Sequence, residues 1–225
     1  YESVCGARLT YNYFRIGGVA NDLPDGFTKA AKEFIKYFRP RLKEYDDLLT
    51  NNVIFLDRTK NIAIISKEDA VNYGITGPML RASGVKYDIR KDDTYSVYGE
   101  FDFDIPTGVA GDCWDRYIVR MREMYESTKI IEQAIDKLPE GDICAKVPKV
   151  IRPPAGEVYT RIEAPRGDLG IYLISDGGTS PYRLKIRAPS FVNLEILPKL
   201  LKGWKIADSG AVLASTDIVL GEVDR

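Results

Sequence analysis

Residues 113–138 read CWDRYIVRMREMYESTKIIEQAIDKL, and within them Trp114, Tyr117, Ile118, Met121, Met124, Tyr125, Thr128, Ile131, Ile135 and Leu138 recur mostly at steps of three and four. That spacing lays them along one stripe of an α-helix about seven turns long. Asp112 is placed to cap its start with Asp115 three residues on, and Pro139 with Gly141 marks its end. An apolar stripe of this length packs into a helical bundle.

Downstream the period changes to two. Val158, Thr160 and Ile162 alternate with Tyr159, Arg161 and Glu163, and Tyr182, Leu184 and Ile186 alternate with Arg183, Lys185 and Arg187. Between them Leu169 to Ser175 is a more continuously apolar run. The joining stretches, Ala164-Pro165-Arg166-Gly167 and Asp176-Gly177-Gly178, are built of residues that tolerate tight reversal. The reading is a three-stranded antiparallel meander, followed by two short helices near residues 194–201 and 206–215.

Upstream, Phe27, Ala30, Ala31, Phe34, Phe38, Leu42, Tyr45 and Leu49 keep the helical period. Pro40 falls inside that run; it lacks the helical N–H donor and crowds the preceding turn, which predicts a kink or a break. Ile62-Ala63-Ile64-Ile65 reads as a short buried strand, and 67–73 as a short helix capped by Ser66. The first ten residues read as helix. The expected fold class is therefore α+β, with a helical part over 1–145 and a meander plus closing segment over 146–225, forming one unit. The chain opens on Tyr1-Glu2-Ser3-Val4 with neither Met nor a targeting pattern, which gives the expectation of a fragment begun inside a helix.

Composition narrows the chemistry. The 225 residues carry 32 Lys and Arg against 33 Asp and Glu, so the basic surplus that neutralises phosphates is missing and a nucleic-acid partner is not expected. There is no histidine, which removes Ser-His-Asp and Cys-His catalysis, histidine metal sites and histidine proton shuttles together. Cys5, Cys113 and Cys144 are far apart and form no CxxC pair, so a zinc or iron–sulfur ligand set is not expected within the chain. They read as small buried apolar residues and reduced thiols of a cytoplasmic compartment. No apolar run approaches the roughly 20 residues that span a bilayer.

Few local clusters invite chemistry. Neither phosphate-loop glycine pattern occurs; Gly17-Gly18 reads as a sharp bend and Gly177-Gly178 as a hairpin turn. Asp102 and Asp104 read as a solvated pair, and Arg183, Lys185 and Arg187 as a basic strand face open to solvent or to a partner. Arg166 is displayed in a tight turn, Pro165-Arg166-Gly167, where it can meet a ligand. The end, Asp217-Ile218-Val219-Leu220-Gly221-Glu222-Val223-Asp224-Arg225, is too apolar for a frayed tail and reads as covered by something else.

Several segments together resemble one family. Asn12-Tyr13-Phe14-Arg15-Ile16-Gly17-Gly18-Val19 with Asp22-Leu23-Pro24, Gly77-Pro78-Met79-Leu80-Arg81-Ala82-Ser83-Gly84 with Tyr87-Asp88-Ile89-Arg90-Lys91, and Gly111-Asp112-Cys113-Trp114-Asp115-Arg116-Tyr117 are similar, in order, to signatures of the catalytic quinone-site subunit of complex I. Glu163 to Gly167, Ser175-Asp176-Gly177, Pro181-Tyr182-Arg183 and the closing residues extend the likeness to the whole chain. That family is related to the large subunit of nickel–iron hydrogenases. The resemblance therefore implies a hydrogenase-like bundle in which the metal-ligand positions have become Val219, Glu222 and Arg225, leaving a cavity used for quinone.

On that resemblance Asp217, Val219, Leu220, Glu222 and Arg166 would line or buttress the quinone pocket. Gly17, Gly18 and Val19 would run beside the terminal 4Fe–4S cluster of a neighbouring subunit. FMN, NADH and the iron–sulfur clusters would sit on other subunits of the peripheral arm. The chain would lie at the cytoplasmic face of a bacterial membrane, held there by complex partners including the membrane arm. The family's headgroup tyrosine and histidine fall upstream of the matched region, and Ala20 stands where many relatives carry His. A non-catalytic, hydrogenase-related scaffold or assembly module is the alternative reading.

Overall fold

The computed structural model describes residues 1–224; Arg225, which the resemblance set at an expected former metal-ligand position, lies outside the described residues. In order it holds α1 (Glu2–Cys5), the two-residue strands β1 (Phe14–Arg15) and β2 (Gly18–Val19), α2 (Phe27–Tyr45), α3 (Val53–Thr59), α4 (Lys67–Asn72), α5 (Pro78–Ala82), α6 (Ile89–Asp92) and α7 (Cys113–Asp136). There follow β3 (Gly156–Ala164), β4 (Gly167–Ser175), β5 (Arg183–Arg187), α8 (Pro189–Leu194), α9 (Leu197–Leu201), α10 (Ser209–Thr216) and α11 (Leu220–Asp224). The architecture is α+β.

α7 is the axis, with α2, α5 and α10 packed against it. Its stripe buries Ile118, Met121, Thr128 and Ile135. Asp112 caps it as expected, Oδ1 accepting from Asp115 N at 2.8 Å while Oδ2 accepts from Asn61 N at 2.7 Å. Because that carboxylate is buried and satisfies two backbone donors at once, Asp112→Ala is expected to cost about 2–3 kcal/mol, beyond the usual cap loss of about 1. The shift of the urea midpoint at unchanged slope checks it.

A second cap also forms where the sequence placed it, Ser66 Oγ accepting from Asp69 N at 3.0 Å. The meander is present in the order β3-β4-β5, both pairs antiparallel, with Val158 opposite Leu173 and Ile171 opposite Ile186. β4 is its most buried strand.

Three local expectations are corrected. α2 runs unbroken through Pro40, and the irregularity falls later, at a π-helical turn over Asp46–Thr50. The packing of α2 along α7, with Ile35 and Leu42 buried, outweighs one missing helical hydrogen bond. Residues 62–65 are not a strand, since Asn61 and Ala63 take positive φ of 59° and 51°, outside the β region. They nonetheless enter the core: Ile62, Ala63 and Ile65 are buried among Ile75, Met79, Ile196 and Leu200, and Ile65 N donates to Gly111 O at 2.9 Å. At the start, helix is confined to Glu2–Cys5 and ends on a left-handed Gly6. Among the cysteines only Cys113 is buried; Cys5 and Cys144 are partly exposed.

Candidate functional site

The closing residues begin where α10 ends. Asp217 adopts the left-handed conformation, φ 54° and ψ 44°, which Asp tolerates better than most residues. It turns the chain from α10 toward α11, and its N–H closes on Ala214 O at 3.1 Å. Arg166, in the tight turn between β3 and β4, reaches across to it. Arg166 Nε donates to the Asp217 carbonyl at 3.0 Å, and Nη2 lies 3.5 Å from Oδ1. Two residues 51 apart in the chain, both singled out from the sequence, thus meet.

The Arg166 turn is itself locked. Gly77 and Gly167 are buried against each other: a Cβ on Gly77 would lie 2.5 Å from Arg166 O and 2.6 Å from Gly167 Cα. Asn193 Nδ2 adds donors to Arg166 O at 3.1 Å and Thr76 O at 3.3 Å. The buried Asn193 thereby ties α8 to the turn.

Glu222 is the third anchored member. Its Oε2 accepts from Ser190 N at 3.0 Å and also from Ser190 Oγ, fastening α11 to the first turn of α8. Between these two fixed points Val219 and Leu220 face outward, Leu220 being 75% exposed. The described chain does not itself cover them. The result is an apolar front on a polar, hydrogen-bonded backing.

Gly17, Gly18 and Val19 form a separate loop. Val19 N donates to Ile143 O at 3.0 Å and Ala145 N to Gly17 O at 2.9 Å. A Cβ on Gly18 would fall 2.2 Å from Ile143 O, so only glycine allows this approach. A cleft of about 300 Å³ opens beside the loop, lined by Ile16, Ile151, Pro153, Leu173 and the turn before β5. This segment pairs with Phe14–Arg15 and bonds to residues 143–145, whereas the Asp217 and Glu222 side chains are held by Arg166, Arg120 and Ser190.

Buried arginines are not legible as such in the sequence. Arg81 is 2% exposed and meets Glu123 at 2.6 Å, Glu163 at 2.8 Å and Asp88 at 3.6 Å, with Tyr87 O at 3.1 Å. Burial works against its charge, but Glu123 and Glu163 outweigh it and hold the guanidinium above its ordinary range. Burial pushes Glu163 up, with Arg81 opposing, while hydrogen bonds from Arg90 and the charge of Arg81 overcome burial and hold Asp88 low. Arg116 is wholly buried and donates to Gly111 O at 2.8 Å, Ala63 O at 3.0 Å and Ser215 Oγ at 3.0 Å. Arg120, one turn on, donates to Ser215 O at 2.9 Å and lies 3.5 Å from Asp217 Oδ2. Burial pulls Arg120 down to about 10 against the attraction of Asp217.

The backbone N–H groups of Asp102 and Asp104 donate to Gln133 and Glu126 of α7, and Arg187 braces β4 by donating to Asp168 O and to Gly74 O. Among the described residues no group of three or more His, Cys, Asp or Glu side chains is arranged to hold a metal ion, and no helix is long and apolar enough to cross a membrane.

A family model described as the respiratory-chain NADH dehydrogenase 49 kDa subunit matches residues 1–225. Similar curated proteins include an NADH-quinone oxidoreductase subunit of Bacillus cereus, 56% identical over 224 residues, covering 99% of this chain and 61% of the relative. The equivalent subunit of Desulforamulus reducens is 55% identical over 224 residues, covering 100% and 61%. That of Bacillus anthracis is 56% identical, covering 99% and 61%. The chain thus spans 61% of the length of these relatives.

Proposed function

The chain belongs to the 49 kDa-subunit family of respiratory-chain NADH dehydrogenases, and from that premise we propose that it forms one wall of the chamber in which such a complex reduces quinone. The observation that carries this reading is the anchored closing segment. Asp217 and Glu222 are fixed from behind by Arg166 and Ser190, leaving Val219 and Leu220 as an exposed apolar surface between two anchors. A quinone ring and its hydrocarbon tail need such a surface, and a preorganised wall binds without the cost of ordering a loop.

Cys5, Cys113 and Cys144 are widely spread and do not fit a cluster ligand set, and the proposal assigns the 4Fe–4S clusters, FMN and NADH to other subunits of the peripheral arm. The Gly17–Val19 loop is proposed to face the terminal cluster of a neighbour. There a close backbone approach like that of Gly18 on Ile143 keeps the wall thin. We further propose a nickel–iron hydrogenase ancestry, the parts 1–145 and 146–225 as one unit, and a position at the cytoplasmic face of a bacterial membrane through complex partners.

Val219 tests the reading. In an assembled complex Val219→Met is expected to change the quinone KM or the affinity of a quinone-site inhibitor by about three- to tenfold, a difference of ~1 kcal/mol, with the amount of complex unchanged. Unchanged affinities, or an effect confined to assembly, would favour the scaffold alternative.

A further inference from the structure

We infer that Arg120 is a positioning residue of this wall, acting through Asp217; the inference rests on the quinone-chamber reading above. Arg120 Nη1 donates to Arg116 O on its own helix and to Ser215 O at the end of α10, both at 2.9 Å. A cation at the Ser215 carbonyl meets the negative end of α10 and fixes where the helix stops. Asp217 lies immediately beyond. Its carboxylate sits between two guanidinium groups from separate elements, Arg120 Nε at 3.5 Å from Oδ2 and Arg166 Nη2 at 3.5 Å from Oδ1. The left-handed Asp217 sets the direction in which Val219 and Leu220 leave the turn.

Arg120 is costly for a residue that only fills space. Its Nε is buried without a hydrogen bond, one of two such side-chain atoms among the described residues, the other being Asp168 Oδ1. The side chain is 24% exposed, but a buried donor with no hydrogen bond costs free energy that a methionine or leucine at this place would not. The unmet donor points to the side of Asp217 that Arg166 does not hold. Two clamps on one carboxylate fix its rotation as well as its position, which one clamp cannot do. α7 is thereby connected to the pocket wall without touching the quinone.

The test uses the assembled complex with Arg120→Met, Arg120→Lys, Asp217→Asn, the Arg120→Met/Asp217→Asn double variant and Val219→Met. NADH oxidation by an artificial acceptor that bypasses the quinone site counts the complex present. Arg120→Met is expected to raise the quinone KM roughly tenfold at constant bypass activity, the loss of a charge-assisted contact. Arg120→Lys should restore it to within about threefold, since it keeps the charge. On the Asp217→Asn background Arg120→Met should add less than about twofold, because both act on one element. A full effect of Arg120→Met on that background overturns the inference, as does equal loss of assembled complex in the Met and Lys variants with no change in KM. If Val219→Met shifts the KM and Arg120→Met does not, the Arg120 inference alone falls. If neither does, the chamber-wall reading falls with it.

Discussion

Arg81→Met is expected to destabilise the protein by about 3–5 kcal/mol, enough to lower the unfolding midpoint by roughly 10 °C and to leave little assembled complex. Arg81 is 2% exposed, and the carboxylates of Glu123, Glu163 and Asp88 all point at it. Methionine fills the volume but leaves those carboxylates buried beside each other. Arg90 still compensates Asp88 through two side-chain bonds at 2.9 and 2.6 Å, whereas Glu163 loses the guanidinium bond that offsets its burial. Glu163→Gln on the Arg81→Met background should therefore recover part of the loss. Arg122→Met, an exposed neighbour with one long contact to Thr107 O, should stay within about 0.5 kcal/mol. Equal effects at 81 and 122 in thermal unfolding would show that the buried cluster contributes nothing special.

Gly77→Ala is expected to be nearly as damaging, at about 2–5 kcal/mol, and to reach the pocket as well. Gly77 has a φ of 70°, which strains any residue with a side chain, and its Cβ would strike the backbone of Arg166 and Gly167 rather than a movable side chain. The backbone must separate, and the segment displaced is the turn that presents Arg166 to Asp217. In the complex that survives, the quinone KM should rise while bypass NADH oxidation per complex stays constant. Gly178→Ala is a suitable control, because its Cβ would meet chiefly the movable Asp176 carboxylate. A Gly77→Ala protein that unfolds like the parent would mean that the Gly77–Gly167 contact is looser than the geometry requires.

The regular elements are legible in the sequence because local chemistry and tertiary packing agree in them. The stripe from Trp114 to Ile135 and its Asp112 cap give α7, and the alternation around Val158–Ile162 and Leu184–Ile186 gives the meander. Where packing overrides local preference, pattern misleads. Pro40 stays inside α2 because α7 supports the helix on either side of it, and Ile62–Ile65 is buried as irregular chain because positive φ at Asn61 and Ala63 forbids a ladder. The buried arginines are hidden for a different reason. Arg116, Arg120 and Glu123 follow one another at steps of four and three along α7 and look like the solvated side of an amphipathic helix. Only the fold shows that α10 meets Arg116 and Arg120 and that Arg81 of α5 meets Glu123.

Of the candidate site, the contact between Arg166 and Asp217 and the anchoring of Glu222 involve residues chosen from the family resemblance; spacing alone does not pair positions 51 apart. The Gly17–Val19 loop reads as a sharp bend, and its register with residues 143–145 comes from the tertiary structure.

The central claim is that the anchored apolar segment after Asp217 touches quinone. Photoaffinity labelling of an assembled complex with an azido-quinone tests it most directly. The account predicts label on the peptide containing residues 217–222 or on the Arg166 turn, displaced by excess unlabelled quinone. Displaceable label found only on other subunits, or on this chain away from both segments, would contradict it.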